Sequence, residues 1–212
     1  MLETLILLAF AGGSYYLLQH RKNIMKAADL SRKAIYPQTK EEFSSTLVPS
    51  EWKEMEPISK ETRSYQLVKW GTPGLLLVFA GASAVILVSD AEYNVLLLLN
   101  VFAGLFNLIK HQGNLFILEK GCIIDGKLYS FHQIKDFEAE RITLSHSLYG
   151  LNSRLNKAYK LTFRYRNQWH YSRYVVIEDE KHLKKITDLL EERGVSGTIR
   201  ASAPAVNKFT DR

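Results

Sequence analysis

The chain has a single cysteine, Cys122, with five prolines and three methionines among 212 residues. One thiol excludes an intramolecular disulfide and a zinc site built on several thiolates. Its place in an apolar, strand-like run reads as a small buried hydrophobe in a reducing compartment. No glycine-rich phosphate loop and no nucleophile elbow occur. The six histidines, His20, His111, His132, His146, His170 and His182, never fall at i,i+4 spacing, so no paired metal-ligand motif exists. Ser145-His146-Ser147 has no acid or oxyanion arrangement beside it and reads as a polar loop. These absences predict a non-enzymatic protein with no catalytic residue, no cofactor and no metal.

A further absence is positional: no lysine or arginine occurs from Pro73 to Ile109. Two apolar runs fill that stretch, Gly74 to Val88 and Tyr93 to Ile109, split by the acidic turn Ser89-Asp90-Ala91-Glu92. They predict a transmembrane hairpin, flanked by the interfacial aromatics Trp70 and Tyr93. Leu5 to Leu18 is a third candidate span. Glu3 precedes it and His20-Arg21-Lys22 follows it, the reverse of a secretory signal. It reads either as a retained anchor or as a helix lying on the membrane surface. Asn100 and Asn107, seven apart, are candidates for packing one span on another, within the chain or in a homo-oligomer.

Charge orients this scheme. Arg21, Lys22, Lys26, Arg32, Lys33, Arg63 and Lys69 lie between the first two spans, and Lys110 and His111 follow the third. Basic residues beside spans stay in the cytoplasm, so the expected placement is a multi-pass cell-membrane protein with its amino terminus outside and its carboxyl-terminal domain cytoplasmic. From Lys110 onward 18 Lys+Arg face 12 Asp+Glu, which carries the net +6 of the chain. A basic face turned to anionic lipid follows from that balance, and nucleic acid is not an expected partner.

From Asn114 the pattern changes to alternation and tight turns. Leu115–Leu118 reads as a strand, and Asp125-Gly126 between two apolar runs is a strong hairpin signal. A strand is expected from Ile134 to about Leu144. Tyr159 to Arg166 alternates most clearly, with Tyr159, Leu161, Phe163 and Tyr165 opposite Lys160, Thr162, Arg164 and Arg166. Asn167-Gln168 turns the chain into a partner strand from Trp169 to Glu178. A helix follows from Asp179 to Arg193, capped by Asp179 and stopped by Gly194. Residues 196–212 read as a mobile tail. Ahead of the spans, Thr39-Lys40-Glu41-Glu42-Phe43 and Pro49-Ser50-Glu51-Trp52 both look like helix starts within a connecting segment.

The run from Leu115 to Glu138, with Gly121, the Asp125-Gly126 turn, Phe131 and Ile134-Lys135-Asp136-Phe137, resembles the opening of bacterial pleckstrin-homology-like domains. The resemblance covers Asn114 to Gly194. It implies a small antiparallel sheet or partial barrel closed by a carboxyl-terminal helix, a place after a pair of membrane spans, and binding rather than chemistry. Members of that family hold anionic lipid headgroups or protein segments on a barrel mouth or sheet edge.

The expected architecture is an α-helical membrane region of three spans plus a cytoplasmic α+β domain. Its segments are 1–19 (first membrane helix), 20–70 (connecting segment), 71–111 (hairpin), 112–195 (pleckstrin-like domain) and 196–212 (tail). The expected function is a membrane-anchored binding module for a protein partner or for anionic headgroups, with Lys157, Lys160, Arg164, Arg166 and Arg173 as candidate binding residues and Trp169 and Tyr171 beside them; the same residues also read as an ordinary solvated sheet face with cross-strand charge pairs to Glu138 and Glu140. The alternative is a subunit or accessory protein, immunity type included, of a membrane complex or transport assembly, recognised through its spans.

Overall fold

In a computed structural model, residues 2–49, 52–88, 114–166 and 173–200 are described. The chain divides into two units, residues 1–32 with 58–111, and residues 33–57 with 112–212.

In the first unit, α1 runs Leu2–Ser31 and α3 runs Arg63–Val88. Tyr65, Val68 and Thr72, spaced three and four apart, are the buried face of α3. On α1, Leu17, Ile24, Ala27 and Ala28 are buried. Lys60 pairs with Asp29 at 2.8 Å, and the Ser31 hydroxyl donates to the Ile58 carbonyl at 2.9 Å.

The membrane reading is corrected by this unit. Among the described residues no helix is long and apolar enough to cross a membrane. The apolar stretch of α1 is broken at Gly12-Gly13-Ser14 and gives way to Gln19, His20, Arg21 and Lys22. The first third of α3 carries Arg63, Gln66 and Lys69, and Pro73 lies inside the helix. The run left from Gly74 to Val88 is only about 22 Å long at ~1.5 Å per residue, against a hydrocarbon core of ~30 Å. The three-span architecture, the transmembrane assignment and the multi-pass cell-membrane placement are therefore withdrawn. The expected partner run from Tyr93 to Ile109, with Asn100 and Asn107, lies outside the described residues.

The second unit holds two sheets. One has three strands in the order β3-β4-β5: Leu115–Ile117, Gly121–Ile124 and Lys127–Ser130. The other has six, in the order β2-β1-β8-β7-β6-β9. These are Lys53–Glu54, Thr46–Val48, Arg173–Ile177, Tyr159–Tyr165, Ile134–Arg141 and Gly197–Arg200. Every pairing is antiparallel except β6 with β9. Asp125 and Gly126, at φ +53 and +72, make the two-residue β4–β5 turn, whose double left-handed backbone is what Asp-Gly accommodates.

The sheets and helix α4 (Glu180–Glu191) share one core of Tyr36, Ile117, Cys122, Phe137, Leu161, Phe163, Val175, Leu183, Ile186 and Leu190. Burial pushes the Cys122 thiol up to about 12, so it is an inert part of that core. Asp179 caps α4 by accepting from the His182 N–H at 3.0 Å, and Gly194 ends it at φ +79. A second, smaller core on the other face of the large sheet gathers Leu47, Ile142, Leu155, Ala158 and Val176.

Residues 33–57 thus belong to this unit as structure, not as a connection. Tyr36 bridges Ile117, and β1 pairs with β8 through Thr46↔Ile177 and Leu47↔Val176. Thr39 and Glu42 form a capping box on α2 (Lys40–Ser44). At the second expected helix start, Pro49 and Trp52 are turn residues after β1 and before β2, while Ser50 and Glu51 lie outside the described residues, and the expected tail contributes strand β9.

Burial alone would raise the pKa of the Glu42 carboxyl, but N–H groups of Gln38 and Thr39 and the Lys185 ammonium outweigh it, and the net shift is downward from 4.5. The unfolded chain therefore takes up this proton more readily. The stabilisation is complete above the unfolded value and is lost as pH falls through the folded one. Melting curves of wild type and Glu42→Gln should accordingly differ most near neutrality and converge as pH falls from 4.5 through the lowered folded value. A gap in Tm that is independent of pH would contradict this.

Candidate functional site

The five basic residues expected to form one patch are dispersed. Lys160 and Arg164 do share the outer face of β7. Arg164, however, is paired with Asp136 and lies 3.8 Å from Glu138, and the Lys160 ammonium sits 5.2 Å from the centre of the Tyr174 ring. Glu140 is opposite Lys160 and Asp136 opposite Arg164, so the two strands alternate acid against base. Arg166 is exposed in the turn beyond β7, where its N–H donates to the Gln133 carbonyl at 3.0 Å, and Lys157 is exposed in the turn before it. Arg173 pairs in register with Phe163, which places it on the core-facing side, where it binds the Asp125 carboxylate. Trp169 and Tyr171 lie outside the described residues.

A different place in the unit has the shape of a site. A cleft of about 660 Å³ opens between α2, β2 and the 3-10 turn Ser153–Leu155. Phe43, Trp52, Met55 and Pro57 give it an apolar lining, with Lys40, Lys53, Glu54, Glu56 and Arg154 at the rim.

Local sequence explains how each wall is held. Trp52 closes the β1–β2 turn by donating its N–H to the Val48 carbonyl at 2.8 Å, and it does so at φ +53. That left-handed position favours glycine or asparagine. A bulky residue there carries strain on the order of 1 kcal/mol or more, and such strain concentrates at functional positions. The indole is partly buried against the second core and partly presented to the cleft. Phe43 meets the Phe116 ring edge-on at 6.1 Å between centroids.

Arg154 fastens the opposite wall. Its guanidinium donates twice to Glu178, at 3.0 and 2.6 Å, to Glu54 at 3.1 Å and to the Ser44 carbonyl at 3.0 Å. The Glu178 hydrogen bond is the main cause of its raised pKa. A guanidinium with this many acceptors is a fixed strut rather than an open anion receptor.

The floor includes β2, which is the outermost of the six strands among the described residues. Met55 donates its N–H to the Thr46 carbonyl at 2.8 Å, inward toward β1. Antiparallel alternation then points the Glu54 N–H and C=O away from β1, at the outer edge of the sheet, and Glu54 is also one of the residues that line the cleft.

Sequence reasoning missed this site because Pro49-Ser50-Glu51-Trp52 has the composition of a helix start. The β-branched and apolar run Thr46-Leu47-Val48 was the signal for a strand. Among the described residues no group of histidine, cysteine or acidic side chains is placed to hold a metal ion. No family model, curated protein or solved structure matches the chain.

Proposed function

We propose that the second unit is a non-enzymatic binding module that takes an extended segment of a partner protein. The segment adds to the outer edge of β2 at Glu54 and places an apolar side chain against Trp52 and Phe43. The observation that carries this reading is the coincidence of a strand that is outermost among the described strands with an apolar cleft that Trp52, at φ +53, helps to line. Main-chain hydrogen bonds to Glu54 supply affinity independent of sequence, and the cleft selects the side chain. The resemblance to pleckstrin-like domains agrees with a binding role at a sheet edge. The anionic-headgroup version on the outer face of β7 has less support, since Arg164 already holds a carboxylate and Lys160 lies on an aromatic ring.

A random peptide library displayed on phage and selected on the full chain provides the probe. Selected peptides should be extended, carry a large apolar residue, and lose at least tenfold in affinity for Trp52→Ala, a truncation of an aromatic anchor. Arg164→Ala should bind them unchanged. Peptides that bind Trp52→Ala as well as wild type would overturn the reading.

A further inference from the structure

The core-facing side of the second unit carries two hydroxyls that find no hydrogen-bond partner among the described residues. The Tyr129 and Tyr165 oxygens are buried and have no hydrogen-bond partner among the described residues, and their ring centroids lie 4.4 Å apart, one from each sheet. An unsatisfied buried hydroxyl is destabilising, so two side by side, where phenylalanine would fill the same space, call for an explanation.

Their surroundings are cationic. The Lys127 ammonium sits 5.1 Å from the centre of the Tyr129 ring, and Lys127 shares the inward side of β5 with Tyr129. Arg173, at the start of β8, is on the same side of its sheet as Tyr165. The Arg173 charge acts on both phenols, opposing the upward shift that burial gives them. The acidic group here is Asp125, in the turn between β4 and β5, and it holds the Arg173 guanidinium. Both members of that pair are partly open to solvent, with side chains 32% and 21% exposed. The pair is therefore exchangeable, whereas the phenols behind it are not solvated.

We propose that this end of the two-sheet core binds a small oxyanion of the phosphate class. The anion replaces the Asp125 carboxylate on Arg173 and accepts hydrogen bonds from the Tyr129 and Tyr165 hydroxyls, with Lys127 completing the charge. In this arrangement Asp125 is an internal competitor that occupies the guanidinium until the ligand arrives. Four donors from three strands converge on one group, which is the recognition pattern of a tetrahedral anion and uses none of the cleft beside β2.

The test follows the melting of the full chain against inorganic phosphate, and separately against glycerol 3-phosphate, at constant ionic strength set with chloride. Wild type should show a saturable rise in Tm. Asp125→Asn keeps the turn, because Asn-Gly suits the same backbone, and it removes the competitor. Its half-saturating concentration should fall by about fivefold or more. Tyr129→Phe, Tyr165→Phe and Arg173→Gln should each lose most of the rise, while the two phenylalanine variants melt no lower than wild type without the anion. Tighter binding of glycerol 3-phosphate marks a phosphomonoester as the ligand, and tighter binding of phosphate marks the free ion; either supports the site. No saturable rise in wild type and Asp125→Asn overturns it, as does an equal rise in all five proteins.

Discussion

A polypeptide of residues 112–212 alone should fail to fold cooperatively, although it contains the whole of the sequence resemblance to a pleckstrin-like domain. Removing residues 33–57 takes away the fully buried Tyr36 ring and Leu47 side chain, one from each core. Truncating residues of these kinds typically costs about 2–5 kcal/mol each, and a domain has only about 5–15 kcal/mol in total. The loss goes further than side chains. β8 becomes an edge strand without β1, Ile117 loses its backbone partner Tyr36, and Arg154 loses Glu54 and the Ser44 carbonyl. Circular dichroism and proton–nitrogen NMR spectra of the fragment are expected to show collapsed, poorly dispersed chain. A synthetic peptide of residues 33–57, added in excess, should restore dispersion. A fragment that melts cooperatively within a few degrees of the full chain would show that residues 33–57 are an accessory after all.

Gly121→Val should be the most damaging single substitution at any glycine whose φ is ordinary. A side chain built there meets the Tyr129 carbonyl oxygen directly, with the Tyr129 carbonyl carbon and Ser130 Cα at 3.1 Å. All three are backbone atoms of the paired strand, so no rotamer relieves the contact. Gly121↔Ser130 is the end of the β4–β5 ladder, and the Gly121 carbonyl also accepts from the Leu118 N–H at 2.8 Å across the β3–β4 turn. Overpacking of this kind costs about 1–3 kcal/mol, and loss of the adjoining ladder bonds adds about 1 kcal/mol each. Gly12 is the control. It lies inside α1 with nothing within 4 Å, and Gly12→Ala should be neutral or stabilising by about 0.5–1 kcal/mol. Urea unfolding midpoints of the two variants measure the difference. A Gly121→Val protein as stable as wild type would mean that β4 and β5 are not paired in this register.

Much of the second unit was legible in the sequence because its signals are local. Asp125-Gly126 specified its turn through backbone conformation alone, the alternation from Tyr159 to Tyr165 matched a strand with one face buried, and Asp179 and Gly194 bounded α4. The missed elements depend on distant partners. β1 and β2 are three and two residues long, too short to show a period, and they exist because β8 offers an edge more than a hundred residues away. β9 lies in a segment of small residues, and the small size is itself the requirement: Gly197 sits on the Phe137 ring, where a side chain would collide.

The candidate site was illegible for a related reason. The candidate basic residues sit in or beside strands, but their roles are decided by neighbours distant in sequence: Asp136 for Arg164, Tyr174 for Lys160, Asp125 for Arg173. The cleft depends on Trp52 standing where the turn favours glycine, a feature visible only once the turn is known. The membrane expectation failed on length. Apolar runs of about 15 residues met the compositional test for a span without meeting its dimension.

Backbone amide exchange at β2 tests the central claim most directly. With a library-selected peptide bound to the full chain, the Glu54 amide, which points away from β1, should become protected. Amides along the outer face of β7 around Lys160 and Arg164 should keep their rates. Protection that appears around Lys160 and Arg164 while Glu54 exchanges as fast as in the free protein would contradict strand addition at this edge.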